Sequence, residues 1–106
     1  MQEINEKDLS IILESQYKQF IFLYTPFCGT CKVAGKMLET LENIENLPNF
    51  HTMNASLFPD FMQNYQIESV PCLAIIQEGH ILDKTYAFHS VPFMYEKLLT
   101  YSADKG

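Results

Sequence analysis

The chain has 106 residues, of which 47% are hydrophobic and 13% aromatic, and its 7 basic and 13 acidic residues give a net charge of -6. This length is typical of one domain, which we place at residues 1–106, and the apolar content is enough for a core that folds without disulfides or metals. The acidic balance argues against nucleic acid as a partner.

The N-terminal segment predicts a cytoplasmic protein without a membrane partner. The residues MQEINEKDL carry acids where a signal peptide would carry bases. No stretch of the sequence approaches the roughly 18 apolar residues that a membrane span requires. The three cysteines are too few, and odd in number, for a secreted disulfide framework, so they suit a reducing compartment.

The N-terminal part of the chain predicts a helix followed by a buried strand. Asn5 is positioned to cap a helix over about Glu6–Ser15, and a short strand at Gln2–Ile4 can precede it. Lys18–Thr25 is a nearly continuous run of aromatic and β-branched residues that is too short for a good helix. We predict that this run is a strand buried on both faces.

The hydrophobic period changes after this strand. From Gly29 to Glu45 apolar residues recur at helical spacing, and we predict a helix whose buried stripe consists of Val33, Met37, Leu41 and Ile44. The segment Asn46–Asn49 contains turn residues that end this helix. A short strand is predicted next, at Phe50–Ala55.

The C-terminal half predicts one helix, a β-hairpin and a final helix. The predicted elements are a helix at Ser56–Tyr65, hairpin strands at Cys72–Gln77 and Ile81–Phe88, and a helix from the cap Ser90 to about Tyr101. Strands that alternate with helices and end in a hairpin indicate an α/β sheet, parallel at its start and antiparallel at its end.

The segment Phe27–Lys32, FCGTCK, lies where the buried strand passes into the long helix. Cys28 falls at the N-cap and Cys31 in the first turn, where unpaired N–H groups and the helix dipole favour a thiolate. Such a thiolate is the nucleophile of thiol–disulfide exchange, and Cys31 is near enough to resolve a mixed disulfide. A metal site needs more ligands than one such pair supplies, so redox chemistry is favoured over a metal site or an inert pair.

The remaining cysteine and the histidines give weaker signals. Cys72 lies inside an apolar strand, where a lone cysteine usually acts as a small hydrophobic residue. His51, His80 and His89 have no partner cluster in the sequence, and we predict that they are structural or solvated.

With these elements in place, the whole chain resembles the thioredoxin family. The resemblance rests on the order of the elements and on three motifs: FCGTCK, Val70–Pro71 before the hairpin, and Glu78–Gly79 in its turn. It implies a thioredoxin fold, a central mixed β-sheet with helices on both faces. It also implies that Pro71 follows a cis peptide bond and packs against the active-site sulfurs, while Val70 offers its backbone to a substrate chain.

The sequence departs from the family pattern at several positions. Thioredoxins have Trp-Cys-Gly-Pro-Cys, whereas Phe27 and Thr30 replace the tryptophan and the proline here. The family's buried aspartate and the lysine that pairs with it correspond to Phe22 and Thr52, and the loss of both avoids a lone buried charge. Lys36 replaces a helix proline, which predicts an unkinked helix. A glycine of the family's docking surface corresponds to Ala87 in this chain.

The sequence and the resemblance together predict a cytoplasmic thiol–disulfide oxidoreductase that reduces protein or small-molecule disulfides. Cys28 attacks and Cys31 resolves, Val70 and Pro71 position the substrate, and the other substrate contacts are Phe27, Gly29 and Thr30. No organic cofactor is needed, because the electrons reside on the two sulfurs and are replenished by an external reductase or thiol. Two alternatives stay open: a thioredoxin-fold binding module with non-catalytic thiols, and a metal or iron–sulfur carrier that uses the same two cysteines.

Overall fold

The computed structural model describes residues 1–102, which form a five-stranded sheet and its flanking helices. The strands are β1 (Gln2–Glu3), β2 (Gln19–Tyr24), β3 (His51–Asn54), β4 (Cys72–Gln77) and β5 (His80–Thr85). The helices are α1 (Glu6–Glu14), α2 (Gly29–Glu42), α3 (Pro59–Asn64) and α4 (Val91–Ser102).

The sheet has the strand order β1-β3-β2-β4-β5. Strand β3 lies between β1 and β2 and runs parallel to both, whereas β4 is antiparallel to β2 and to β5. The predicted change from parallel to antiparallel pairing is therefore confirmed. The short strand before the first helix is also present, and its pairing with β3 places the N-terminus of the chain at the sheet edge.

Two hydrophobic clusters cover the two faces of the sheet. Because side chains alternate along β2, Phe20 and Phe22 lie on one face of the sheet. Ile21 and Leu23 lie on the other face. Buried residues of α2 and α4 pack on the first face, and α1 and α3 contribute to the cluster on the second. The sheet is thus covered by helices on both faces, as predicted, and β2 is buried on both sides.

The buried face of α2 differs from the prediction. Leu41 is buried and Met37 is partly buried, but Val33 is 59% exposed and Ile44 is 38% exposed, so only part of the predicted stripe faces the core. The buried residues of the helix are Cys31, Ala34, Gly35, Leu38 and Leu41. Small side chains face the sheet because α2 lies close to it: a Cβ atom on Gly35 would be 3.4 Å from Cε2 of Phe22. The close approach of α2 to the sheet therefore determines which face of the helix is buried. The positions of its large apolar residues do not.

Two predicted boundaries also change. The predicted helix at Ser56–Tyr65 begins only at Pro59, because a short 3-10 turn occupies Ala55–Leu57 and Phe58 is not helical (φ -130°, ψ 58°). A residue before proline is disfavoured in the helical region, which accounts for this break. The predicted strand Ile81–Phe88 ends at Thr85, and residues of the segment after it line a groove together with Thr30 and Pro71.

Candidate active site

Cys28 is the N-cap of α2, as the sequence predicted. Its backbone is extended (φ -102°, ψ 108°), and its sulfur accepts a hydrogen bond from the Cys31 N–H at 3.1 Å. The hydroxyl oxygen of Thr30 lies 3.3 Å from the same sulfur. Cys28 and Cys31 form a disulfide, with their Cα atoms 5.2 Å apart. The start of α2 thus places the Cys28 sulfur at the Cys31 N–H, and a disulfide joins it to the Cys31 sulfur.

The two sulfurs differ in exposure. Cys28 is half-buried, whereas Cys31 is only 3% exposed and belongs to the core cluster between α2 and the sheet. Beside them Phe27 is 99% exposed and Gly29 has no neighbouring atom within 4 Å of its added Cβ position. The Cys28 sulfur is therefore the more accessible of the two.

A groove of about 420 Å³ adjoins the turn between the two cysteines, with Thr30 in its lining. It brings together two of the predicted site residues, Thr30 and Pro71, and the peptide bond between Val70 and Pro71 is cis. The other predicted contacts, Phe27, Gly29 and Val70, do not line it. The groove is completed by residues that the sequence did not assign to a site, namely Val33, Ala34, Met37, Tyr86, Phe88 and His89.

Three groove residues, Tyr86, Phe88 and His89, follow β5. The prediction that His89 is structural or solvated agrees with its exposed position. Phe88 is buried, but all three line the groove, and the exposed His89 ring stands edge-on to Phe93 with 4.6 Å between centroids. The sequence could have indicated these groove residues by their position directly after the hairpin that Val70–Pro71 precedes.

A second cavity, of about 440 Å³, has Cys31 in its lining. None of its lining residues also lines the groove. Phe22 and Tyr24 form an apolar wall, with their rings stacked at 6.2 Å and an interplanar angle of 21°. The charged side chains that line the cavity are Glu3, Lys32, Lys36 and Glu39, and Met1 and Thr52 also contribute. Cys31 is thus buried from bulk solvent but contacts an open, partly charged cavity.

The carboxylate of Glu3 is held at this cavity by two hydroxyl groups. The Tyr24 hydroxyl donates to its Oε1 at 2.8 Å, and the Thr52 hydroxyl donates to the same oxygen at 2.7 Å. Burial, and then the hydrogen bond to Glu3, raise the pKa of Tyr24 to about 12. The sequence indicated a strand at this position but gave no signal that Glu3 approaches the site.

Cys72 lies outside the site. It is fully buried in the cluster on the opposite face of the sheet from Cys31, and it is a free thiol. Burial raises the pKa of its thiol to about 12. The prediction that it acts as a small hydrophobic residue therefore agrees with its surroundings.

The described residues contain neither a cluster of metal ligands nor a membrane-spanning helix. Across residues 1–102 there is no group of three or more His, Cys, Asp or Glu side chains placed to hold a metal ion. Within the same residues no helix is both long enough and apolar enough to span a membrane.

Comparisons with known proteins support the same description. A family model described as Thioredoxin matches residues 2–91. The chain is 44% identical over 98 residues to the thioredoxin-like protein YusE of Bacillus subtilis, covering 91% of this chain and 89% of that protein. It is 25% identical over 84 residues to a thioredoxin of Mycoplasmoides gallisepticum, covering 79% and 84%. The crystal structure of a Malassezia sympodialis thioredoxin superposes with a TM-score of 0.84 at 15% identity, covering 96% and 90%, which shows the fold alone.

Proposed function

The chain belongs to the thioredoxin family and is a thiol–disulfide oxidoreductase, and from that premise we propose that it works as a disulfide reductase in the cytoplasm. Its substrates are disulfides of proteins or small molecules, and an external reductase or thiol supplies the electrons. The observation that carries this proposal is the unequal pair: an accessible sulfur at a helix N-cap, disulfide-bonded to a buried one. The buried free thiol of Cys72 is compatible with a reducing compartment.

In the first step the Cys28 thiolate attacks one sulfur of the substrate disulfide. The substrate S–S bond breaks, a bond from Cys28 to one substrate sulfur forms, and the other substrate sulfur leaves as a thiolate that takes up a proton. The N-cap supports this step, because the Cys31 N–H points at the Cys28 sulfur at 3.1 Å and the helix dipole favours negative charge there. The Thr30 hydroxyl, 3.3 Å away, is a second donor to the thiolate.

In the second step Cys31 loses its proton and attacks the Cys28 sulfur of the mixed disulfide. The bond between Cys28 and the substrate breaks, the substrate leaves as its second thiol, and the Cys28–Cys31 disulfide forms. The Cα separation of 5.2 Å lies within the usual range for a disulfide. Two electrons and two protons from the external donor then regenerate the dithiol.

The groove beside the pair is the proposed binding site for the substrate chain. It joins Thr30 of the active-site turn to Pro71, so a chain lying in it would pass the Cys28 sulfur. In this proposal Val70 contributes backbone contacts, and the exposed ring of Phe27 and the open position at Gly29 shape the approach to Cys28. The apolar side chains of Val33 and Met37 favour an apolar substrate segment in the groove.

The test is a redox titration of the purified protein in glutathione buffers, with the Cys28–Cys31 disulfide followed by mass. Potentials of related proteins run from about -270 mV for thioredoxin to about -120 mV for the oxidant DsbA. A value near the low end, together with reduction of a model disulfide that Cys28→Ser abolishes, supports a reductase. A value near the high end contradicts it. If Cys28 and Cys31 do not cycle between dithiol and disulfide, the alternative holds, and the protein is a binding module with the thioredoxin fold.

A further inference from the structure

The proton on the Cys31 thiol has no acceptor in the core. Cys31 is 3% exposed, and among the described residues Thr85 is the only buried polar or charged one. A thiol in apolar surroundings resists ionisation, yet only the thiolate attacks a disulfide. The second step of the proposed reaction therefore needs a route by which this proton leaves.

The cavity of about 440 Å³ provides such a route, because Cys31 and Glu3 both line it. A water molecule occupies about 30 Å³ of liquid, so the cavity has room for a short chain of waters between the two residues. Glu3 is exposed, which places its carboxylate where the cavity meets solvent. A proton that reaches Glu3 can therefore pass on to bulk water.

The position of Glu3 is fixed by the fold. In the register of β1 and β3 it lies opposite Thr52, whose hydroxyl donates to Oε1, and the Tyr24 hydroxyl donates to the same oxygen. Both bonds are made by Oε1, which leaves Oε2 able to accept a further hydrogen bond from water. The high pKa of Tyr24 keeps its hydroxyl protonated, so it remains a donor through the neutral range.

The other charged groups at the cavity come from α2 and from the N-terminus. Lys32 and Lys36 line it and favour a thiolate at Cys31. The ammonium group of Met1 is bound to Glu42 at 3.0 Å. Glu39 is a second carboxylate in the lining, but it lies on the exposed side of α2 and receives neither of the two hydroxyls that fix Glu3.

We propose that Glu3 is the proton acceptor for Cys31, acting through water in this cavity. The S–H bond of Cys31 breaks, the proton moves through water to the carboxylate of Glu3, and the Cys31 thiolate attacks the mixed disulfide. Glu3 then releases the proton to solvent before the next cycle. This inference rests on the proposed function, since it concerns the second step of that reaction.

The test is the variant Glu3→Gln, with Glu39→Gln as the matched control at the same cavity. Reduced protein is mixed rapidly with an aromatic disulfide that releases a coloured thiol. The first release reports attack by Cys28, and the second reports resolution by Cys31. Glu3→Gln should slow the second release near neutral pH by roughly tenfold or more, and raising the pH should restore it. The first release, and both releases in Glu39→Gln, should match the wild type.

Three results would contradict either the role of Glu3 or the proposed function. If Glu3→Gln and Glu39→Gln give the same pH profile for the second release, Glu3 is not the acceptor and the proposed function stands. If Glu3→Gln slows this release by one constant factor at every pH, Glu3 acts on structure and the inference is again wrong. If the wild-type protein releases no second thiol, the proposed function itself fails.

Discussion

Phe22 on β2 and Thr52 on β3 are register partners in neighbouring parallel strands. The resemblance places the family's buried aspartate and its lysine partner at these two positions. Here the Phe22 ring is 4% exposed and stands edge-on to Phe88, with ring centroids 5.9 Å apart, while the Thr52 hydroxyl binds Glu3. Both buried charges are therefore replaced together, and an exposed carboxylate on β1, that of Glu3, is bound to the hydroxyl at one of the two positions.

The variant Phe22→Asp should be strongly destabilised. The substitution removes a buried ring and leaves a carboxylate without a partner, and each change typically costs about 3 to 5 kcal/mol. Urea denaturation of the oxidised protein measures the loss, and Phe22→Leu is the control, with an expected cost of roughly 1 to 2 kcal/mol. In the fraction that stays folded, the new carboxylate should speed the release of the second thiol. Equal stability of the two variants would show that the site tolerates a charge.

Single cysteine variants should separate attack from resolution. In Cys31→Ser a substrate disulfide should be trapped as a stable mixed disulfide on Cys28, whose half-buried sulfur is the accessible one. Cys28→Ser should trap none, since Cys31 is 3% exposed. Mass spectrometry after mixing with a model disulfide makes the comparison. Preferential alkylation of Cys31 in the reduced wild-type protein near neutral pH would reverse the assignment.

Cys72 should resist alkylation in the native protein and react quickly once the chain is unfolded. Burial raises its pKa from 9.0 to about 12, so the folded state favours the neutral thiol. The difference in pKa leaves the folded state fully stable below about pH 9. As the pH rises from there toward about 12, the Cys72 thiol ionises in the unfolded chain but not in the folded one, so the free energy of unfolding falls. Mass-resolved alkylation over this range checks the prediction, with Cys28 as the reactive reference. Rapid labelling of native Cys72 at pH 8 or so would contradict its burial.

A charge in the groove should weaken substrate binding without changing the cysteine pair. Val33 is 59% exposed in the groove lining, so Val33→Asp places a carboxylate where an apolar substrate segment is proposed to lie. We expect kcat/KM for protein disulfides to fall by roughly tenfold, mainly through KM, while the rate of Cys28 alkylation stays the same. The control is Ile11→Asp, since Ile11 is 71% exposed on α1 and does not line the groove. An equal fall of kcat/KM in both variants would show that the groove is not the substrate-binding site.

The sequence predicted the local features of this fold well. The strand at Lys18–Thr25 and the N-cap at Cys28 follow from short stretches of residues, and both are present in the structure. The predicted buried face of α2 was wrong at Val33 and Ile44, because α2 approaches the sheet closely where Gly35 faces Phe22. A hydrophobic pattern carries no information about that distance. The role proposed for Glu3 depends on pairing between β1 and β3, which are far apart in the chain. Such contacts follow from topology and leave no mark in the local sequence.

The hydrogen bond from the Cys31 N–H to the Cys28 sulfur has a further consequence for spectroscopy. A thiolate accepts a hydrogen bond more strongly than a disulfide sulfur, because a charged acceptor strengthens the bond. The same amide is therefore held more tightly whenever the sulfur carries a negative charge, and less tightly in the disulfide. The NMR shift and solvent exchange of this one proton would then distinguish the Cys28 thiolate from the disulfide, without any added substrate.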